Sequence, residues 1–296
     1  MLPSAPPTAS PVAPPSWYPD PWYPGQLRWW DGSAWTPHVA AGGWGASPGP
    51  FRGSSARPES TGWFPEIATL RSPAALFGIA LVGILLAGNF AVTATKNNDL
   101  ASGLIALAVL AFYAVGLPLG AWFASRRWGS GHVVEDLGFR FKPIDLALGI
   151  AGAVTMLITV VVVGLLMRGF GVPERSNLKD VVPAHQTLAV FIFLVVEAGI
   201  LAPFTEELLF RGVVFRGLSS RLRAVAAIGV QAVIFGMAHV SLDGGWGNIG
   251  LAIALACVGA ELGYLARSTG RLGAGMIAHG LFNTTQIVLL FVLGTR

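Results

Sequence analysis

Residues 146–167, LALGIAGAVTMLITVVVVGLLM, form an apolar stretch of 22 residues without a charged side chain. A helix that crosses the hydrocarbon core of a bilayer needs about 20 such residues. The whole chain of 296 residues shares this bias, with 53% apolar residues, 11% charged residues and a mean hydropathy of +0.63. Soluble domains carry about 25% charged residues. The composition therefore argues against a single soluble enzyme and predicts a membrane protein.

Seven stretches of comparable length and polarity follow one another along the chain. They are 74–95, 101–124, 146–167, 187–209, 224–241, 247–266 and 272–294. This series predicts an all-α, polytopic membrane helix bundle of about seven spans. In the fourth stretch, Pro203 predicts an interruption, after which Thr205 would cap a new helical turn that carries Glu206 and Glu207.

Basic residues in the segments that precede, connect and follow these stretches predict the orientation. With the amino terminus inside, twelve lysines and arginines lie on the cytoplasmic side and five lie outside. We therefore expect a multi-pass protein of the cell membrane with a cytoplasmic amino terminus and the lipid bilayer as its surroundings. The net charge of +4 is modest, so a nucleic-acid partner is not expected.

The residues before the first span differ in composition from the rest of the chain. Residues 1–15 are rich in proline and predict a disordered tail rather than a secretory signal, so the first apolar helix is expected to remain in the mature protein. Residues 16–40 contain five tryptophans and predict a small β-hairpin module, with strands at 26–30 and 34–39 around Asp31-Gly32. Residues 41–73 are a Gly/Pro/Ser linker to a membrane domain at 74–296.

Ionisable side chains at bilayer depth are costly and usually functional. The predicted spans contain few of them, and the principal candidates are Glu197, Glu206, Glu207, Arg211, His239, Glu261 and His279, with Asn283 the most polar uncharged neighbour. Glu207 and Arg211 are four residues apart, where a carboxylate and a guanidinium can pair on one helix face. His279 and Asn283 have the same spacing, as do Phe235 and His239.

Helix geometry gives a rough test of whether these groups can meet. At 1.5 Å per residue, Glu206 lies about 15 Å from Arg216, whereas His239 lies about 24 Å from Arg223 and is deeper than its supposed partners. Glu197 is nine residues before Glu206, about half a turn out of phase, and is expected to face elsewhere. The roles of Glu197 and Glu261 stay open at this stage.

Three motifs resemble those of the CPBP intramembrane proteases, the group that includes the eukaryotic CaaX prenyl endopeptidase and bacterial bacteriocin-processing or immunity proteins. They are Glu206-Glu207 with Arg211 (EExxxR), Phe235 with His239 (FxxxH) and His279 with Asn283 (HxxxN). The resemblance covers a protease-like core at about 185–290. The front module, with WYPDP, RWWDG and a W-T-x-H sequence, is similar to a short tryptophan-rich actinobacterial domain of unknown function.

The resemblance implies a role for each residue of the motifs. Glu206 would be the general base that activates a water molecule, and His239 would help to hold that water. His279 and Asn283 would stabilise the oxyanion of the tetrahedral intermediate, with Glu207 and Arg211 as a supporting ion pair and Phe235 as packing. The residue types suit the chemistry, because a carboxylate in low dielectric is a suitable base and amide or imidazole N–H groups can donate to an oxyanion.

The need for a cofactor is a separate question. Two histidines and a carboxylate are a plausible catalytic zinc set, so zinc remains an alternative. No HExxH sequence is present, and the ligands would come from three helices. Cys257 is the single cysteine, so a CxxC metal site is excluded. We therefore favour a glutamate mechanism that uses no metal.

The leading functional hypothesis is an intramembrane endopeptidase that cuts a membrane-associated or hydrophobic peptide or protein. The actinobacterial type of front module argues against a prenylated CaaX substrate and favours peptide maturation, peptide resistance or cleavage of a membrane regulator. The alternative is a membrane peptide-binding, immunity or scaffold protein that uses the same cavity without catalysis. A proton-coupled transporter is disfavoured because no internal repeat is evident. The front module is expected to dock an unknown cytoplasmic partner.

Overall fold

The computed structural model describes residues 14–22, 26–41, 67–94, 100–173, 175, 187–241 and 244–293. The chain forms two compact units, residues 1–59 and residues 60–296. Most of the predicted tail at 1–15 and most of the predicted linker at 41–73 lie outside the described residues.

The first unit is a three-stranded antiparallel sheet in the order β1-β2-β3. Its strands are β1 (Ser16–Pro19), β2 (Gln26–Trp30) and β3 (Trp35–Ala41). The predicted hairpin around Asp31 is present, and Gly32 adopts a φ of +97° that favours glycine. Strand β1 was not predicted from the sequence. It pairs with β2 so that Trp17 lies opposite Trp29, with ring centroids 5.6 Å apart in an edge-to-face contact.

The second unit is a bundle of helices. The helices are α1 (Pro73–Ala94), α2 (Leu100–Ala111), α3 (Leu117–Trp128), α4 (Val133–Leu137), α5 (Ile144–Gly169), α6 (Leu188–Val196), α7 (Ala202–Glu206), α8 (Arg216–Leu218), α9 (Ala224–Met237), α10 (Gly247–Thr269) and α11 (Gly273–Leu293). Three wide π-helical segments join neighbouring helices without a break, at Phe112–Gly116, Glu197–Leu201 and Glu207–Phe215.

Six helical stretches of the described chain are long and apolar enough to cross a membrane. They are Pro73–Ala91, Gly103–Trp128, Ile144–Gly169, Leu188–Leu218, Gly247–Thr269 and Gly273–Val292. The all-α polytopic prediction is therefore confirmed, with one span fewer than expected. The predicted span at 224–241 is a helix of 14 residues, Ala224–Met237, which at 1.5 Å per residue is about 21 Å long. A hydrocarbon core of about 30 Å exceeds this length.

The fourth span corrects the prediction at Pro203. The helix runs from Leu188 to Leu218 without an interruption, so Thr205 is not a helix cap. The Thr205 hydroxyl instead donates back to the carbonyl of Leu201 at 3.0 Å, within the same helix. The π-helical segment Glu197–Leu201 precedes Pro203 and changes the backbone hydrogen-bond pattern there, so the proline can be accommodated.

Glycine allows two helices of the bundle to approach each other closely. Helix α10 packs against α9, and α11 packs against α5. A Cβ atom on Gly236 of α9 would lie 2.3 Å from the carbonyl oxygen of Ala252 in α10, so only glycine fits there. The largest buried cluster contains Leu209, Phe210, Phe235, Leu262 and Phe282, and it places the fourth span against α9, α10 and α11. The three predicted motifs therefore share one core.

Candidate active site

A cavity of about 420 Å³ lies inside the membrane unit. Its walls are mainly apolar, with polar side chains from Asn89, Tyr113, Glu197, Glu206, His239, His279, Asn283 and Gln286. These residues come from α1, the first π segment, the fourth span, the turn after α9, and α11. Four of the six predicted site residues therefore line one cavity, and the other two, Glu207 and Arg211, lie buried behind it.

The two carboxylate oxygens of Glu206 have different surroundings. Oε1 accepts a hydrogen bond of 2.7 Å from the hydroxyl of Tyr113. Oε2 is buried and has no hydrogen-bond partner within the described residues. Nε2 of His239 lies 3.9 Å from Oε2, and Nε2 of His279 lies 3.8 Å from it. Both distances exceed a direct hydrogen bond, so Oε2 and the two ring nitrogens surround a space that a water molecule can bridge.

His239 lies in the turn that follows α9. Helix α9 ends at Met237, and Nδ1 of His239 lies 2.7 Å from the carbonyl oxygen of Phe235, four residues earlier. The backbone N–H of His239 donates to the carbonyl of Gly236 at 3.2 Å rather than to that of Phe235, so the imidazole N–H takes the place of the missing backbone donor. Since a carbonyl only accepts, Nδ1 carries a proton, and Nε2 is the ring nitrogen that faces Glu206.

His239 was expected to lie deeper than its partners, and that expectation was wrong. It assumed a helix that continues through residue 241. Because α9 ends two residues before His239, the side chain reaches the cavity from a turn instead. The loop beyond is held by Asn248, whose side-chain amide donates to the carbonyl of Ser241 at 2.7 Å and accepts from its backbone N–H at 3.2 Å.

Glu207 and Arg211 form the predicted ion pair, with Nη1 and Oε1 2.8 Å apart and both side chains fully buried. The same Oε1 lies 3.2 Å from Nδ1 of His279. Nη2 of Arg211 donates to the carbonyl of Gly259 at 2.9 Å, and the guanidinium lies 4.6 Å from the ring centroid of Phe235. The ion pair therefore holds the His279 ring at its Nδ1 side. Phe235 packs against both Arg211 and His279.

Asn283 is tied to the fourth span by its side-chain amide, which donates to the carbonyl of Ala198 at 2.7 Å. The reason lies in the π-helical segment, where the N–H of Ala202 donates to Glu197, five residues earlier. The matching donor for Ala198 would be residue 203, which is a proline and has no N–H. Asn283 supplies the missing hydrogen bond. Its Nδ2 carries two hydrogens, so one remains for a group in the cavity.

Glu197 was expected to face away from Glu206, and this expectation was wrong. A regular α-helix turns by about 100° per residue, which puts residues nine apart on opposite faces. The wider turns of Glu197–Leu201 reduce that rotation, so both carboxylates line the same cavity. Tyr113 was not predicted at all. The signal available in the sequence was its hydroxyl, a polar group within an uncharged apolar span.

Glu261 is held elsewhere, by two threonines of α5. The hydroxyls of Thr155 and Thr159 donate to its two oxygens at 2.6 Å and 2.5 Å. It lines neither this cavity nor a second one of about 330 Å³ near Arg168 and Arg175. Within the described ranges, no three His, Cys, Asp or Glu side chains are arranged to hold a metal ion. The choice between a glutamate mechanism and zinc stays a prediction.

Comparison with protein families agrees with the motif resemblance. Residues 15–48 match a family described as a protein of unknown function (DUF2510). No curated protein and no solved structure gives a significant match. Residues 183–285 match the family described as type II CAAX prenyl endopeptidase Rce1-like. The segment that carries all six predicted site residues is therefore similar to this intramembrane protease family, as its three motifs predicted.

Proposed function

We propose that the protein is an intramembrane endopeptidase that hydrolyses a peptide bond with a water molecule activated by Glu206. The observation that carries the proposal is the buried Oε2 of Glu206, which has no partner among the described residues and lies within 4 Å of Nε2 of both His239 and His279. A buried carboxylate oxygen without a partner is costly in a structural role. A bound water would satisfy it and supply the nucleophile.

The water would be held between Glu206 and His239. It donates one hydrogen to Oε2 and the other to Nε2 of His239, whose Nδ1 is already occupied by the carbonyl of Phe235. Glu206 takes a proton as the water oxygen attacks the carbonyl carbon of the substrate. The carbonyl electron pair moves to its oxygen and forms an oxyanion. When the carbon–nitrogen bond breaks, Glu206 returns the proton to the leaving amine.

The oxyanion would be stabilised by His279 and Asn283. Nδ1 of His279 faces Glu207, which accepts from Arg211 and so is an ionised acceptor. Nδ1 therefore carries a proton, and donation from Nε2 requires the doubly protonated ring, whose positive charge the oxyanion then balances. Asn283 contributes its second amide hydrogen. One donor of this kind is worth about 3–4 kcal/mol in transition-state stabilisation.

The substrate we propose is a membrane-associated or hydrophobic peptide or protein. The cavity is surrounded by membrane-spanning helices, and its walls include Leu85, Leu110 and Leu255. Apolar walls with a few polar groups suit a hydrophobic chain with one polar amide. We further propose that the protein lies in the cell membrane with a cytoplasmic amino terminus, where the front module docks a partner.

The test compares the peptide termini of cells that carry the wild type, Glu206→Gln or Glu261→Gln. Glu261→Gln is a matched control, since it changes a carboxylate of the membrane unit outside the cavity. We expect termini that depend on the wild type and the control variant and are lost with Glu206→Gln. Identical termini in all three, with equal amounts of protein in the membrane, would contradict proteolysis. Retained binding of a peptide would then favour the alternative, a peptide-binding, immunity or scaffold protein.

A further inference from the structure

The hydroxyl of Tyr113 donates a hydrogen bond to the carboxylate of Glu206. Among the described residues, no other side chain donates a direct hydrogen bond to this carboxylate. Its oxygen lies 2.7 Å from Oε1 of Glu206, and the two residues are 93 positions apart in sequence. Tyr113 lies outside residues 183–285, the segment that matches the protease family, and in none of the three motifs. The contact therefore comes from a part of the chain to which neither the motifs nor the family match assigns a role.

The local structure brings Tyr113 to the cavity. It belongs to the π-helical segment Phe112–Gly116, in which the N–H of Leu117 donates to the carbonyl of Phe112, five residues earlier. A Cβ on Gly116 would lie 2.6 Å from the ring of Phe112, so glycine leaves room for that ring in the wide turn. Phe112 and Tyr113 both pack against the main core cluster. The side chain of Tyr113 is thus fixed by tertiary packing.

The hydrogen bond makes the two oxygens of Glu206 unequal. Without this hydrogen bond, both oxygens would be equally available as acceptors. The carboxylate could then rotate and direct either oxygen at the water. With Tyr113 on Oε1, the oxygen that keeps its lone pairs available is Oε2, and it faces Nε2 of His239 at 3.9 Å and of His279 at 3.8 Å. A general base needs its basic lone pair directed at the proton it removes.

We propose that Tyr113 is a positioning residue that orients the general base Glu206 toward the nucleophilic water. This inference rests on the proposed hydrolytic function. Tyr113 acts through Glu206 and transfers no proton itself, so its loss affects the chemical step more than the binding of substrate. A merely structural tyrosine would affect folding and leave the turnover of the folded protein unchanged.

The experiment uses the full-length protein in lipid bilayers and a peptide that contains a cleavage site found in the comparison of termini. Tyr113→Phe removes only the hydroxyl, and Tyr264→Phe is the matched control, since Tyr264 is 55% exposed on α10 and lines neither cavity. We expect Tyr113→Phe to lower kcat by about 10- to 100-fold with KM within about twofold of the wild type. The control variant should keep the wild-type kcat.

A retained kcat in Tyr113→Phe, or a loss confined to KM, would overturn the positioning role while Glu206→Gln remained inactive. Infrared spectroscopy adds a readout that needs no turnover, because the tyrosine C–O stretch responds to hydrogen bonding. A tyrosine band that shifts in Glu206→Gln and is absent in Tyr113→Phe supports the contact, and the lack of such a band overturns it. Absence of turnover in the wild type overturns the proposed function, and with it the positioning role, even if the band is present.

Discussion

The side-chain amide of Asn283 donates to the main-chain carbonyl of Ala198, 85 residues away in sequence, at 2.7 Å. The hydrogen bond joins helix α11 to the π-helical segment that precedes Pro203. It replaces the backbone donor that Pro203 lacks, and it places the amide at the edge of the cavity that contains Glu206. The Asn283 hydrogen bond thus compensates for the N–H that Pro203 lacks. The missing backbone hydrogen bond in the fourth span therefore positions the proposed oxyanion donor on α11.

Substitution of Asn283 by alanine should therefore reduce both activity and stability. The loss of one oxyanion donor predicts a decrease in kcat of about 10²–10³-fold. The Ala198 carbonyl, left without its donor, predicts a loss of about 1–3 kcal/mol in the free energy of unfolding. Turnover and thermal unfolding of the purified protein measure the two effects. Thr285→Ala, two residues along α11 and outside both cavities, is the control.

Pro203→Ala tests the dependence between the two spans. The new N–H at position 203 can donate to the carbonyl of Ala198 and take over the task of Asn283. We expect Asn283→Ala to cost about 1 kcal/mol less in the Pro203→Ala background than in the wild type. A double-mutant cycle of unfolding free energies gives this coupling. Strict additivity would show that the proline does not determine the contact.

The buried ion pair gives a prediction about folding. Removal of one partner of a buried pair leaves an uncompensated charge and costs about 3–5 kcal/mol. Arg211→Met should therefore destabilise the protein strongly, because Glu207 then faces His279 without its guanidinium partner. The double variant Glu207→Gln/Arg211→Met should be more stable than Arg211→Met alone. Thermal unfolding in a mild detergent measures this order, and an unchanged midpoint in Arg211→Met would contradict it.

Much of the fold and part of the site followed from local sequence. The apolar stretches gave five of the seven predicted spans nearly as observed, because bilayer thickness sets their length. The pair Glu207 and Arg211 was predictable because residues four apart share a helix face. Two features could not be predicted: the contact of Tyr113 with Glu206 and the direction in which Glu197 points. Both depend on π-helical turns that tertiary packing stabilises. Strand β1 was missed because four residues that contain a proline carry little strand pattern.

Asp136 lies in the short helix α4, between the second and third spans, and gives a prediction about pH. This connection faces the cytoplasm in the proposed orientation. Burial raises the pKa of this carboxyl, but hydrogen bonds from Ser125, Ser130 and Gly131 together outweigh burial and hold the pKa below its ordinary value of 3.8. A lowered folded-state pKa means that the stabilisation is present above pH 3.8 and is lost as the pH falls through the folded value. Asp136→Asn should lower the midpoint of thermal unfolding at pH 7. The difference in midpoint between the variant and the wild type should become smaller toward pH 3.

The need for a metal has a direct test with the purified wild type. We expect turnover to survive prolonged treatment with a strong chelator, because Glu206 and His239 activate the water without a metal in the proposed mechanism. The metal content of the treated protein, measured by mass spectrometry, confirms that the treatment was complete. Loss of turnover that added zinc restores would reverse this prediction and make His239, His279 and Glu206 the ligand set.

Glu197 gives the final prediction, on the choice of substrate. Its carboxylate shares the cavity with Glu206 but lies in none of the motifs, and no hydrogen bond to its side chain is recorded among the described residues. In a cavity of low dielectric, an ionised carboxylate attracts a cation far more strongly than it does in water. We expect Glu197→Gln to lower kcat/KM about tenfold for peptides with a lysine beside the scissile bond, while peptides with leucine there are cleaved at the wild-type rate. Competition between the two peptides in one reaction measures the ratio directly. An equal loss of kcat/KM for both peptides would instead place Glu197 in the catalytic step. An unchanged kcat/KM for both would show that Glu197 has no role in the choice of substrate.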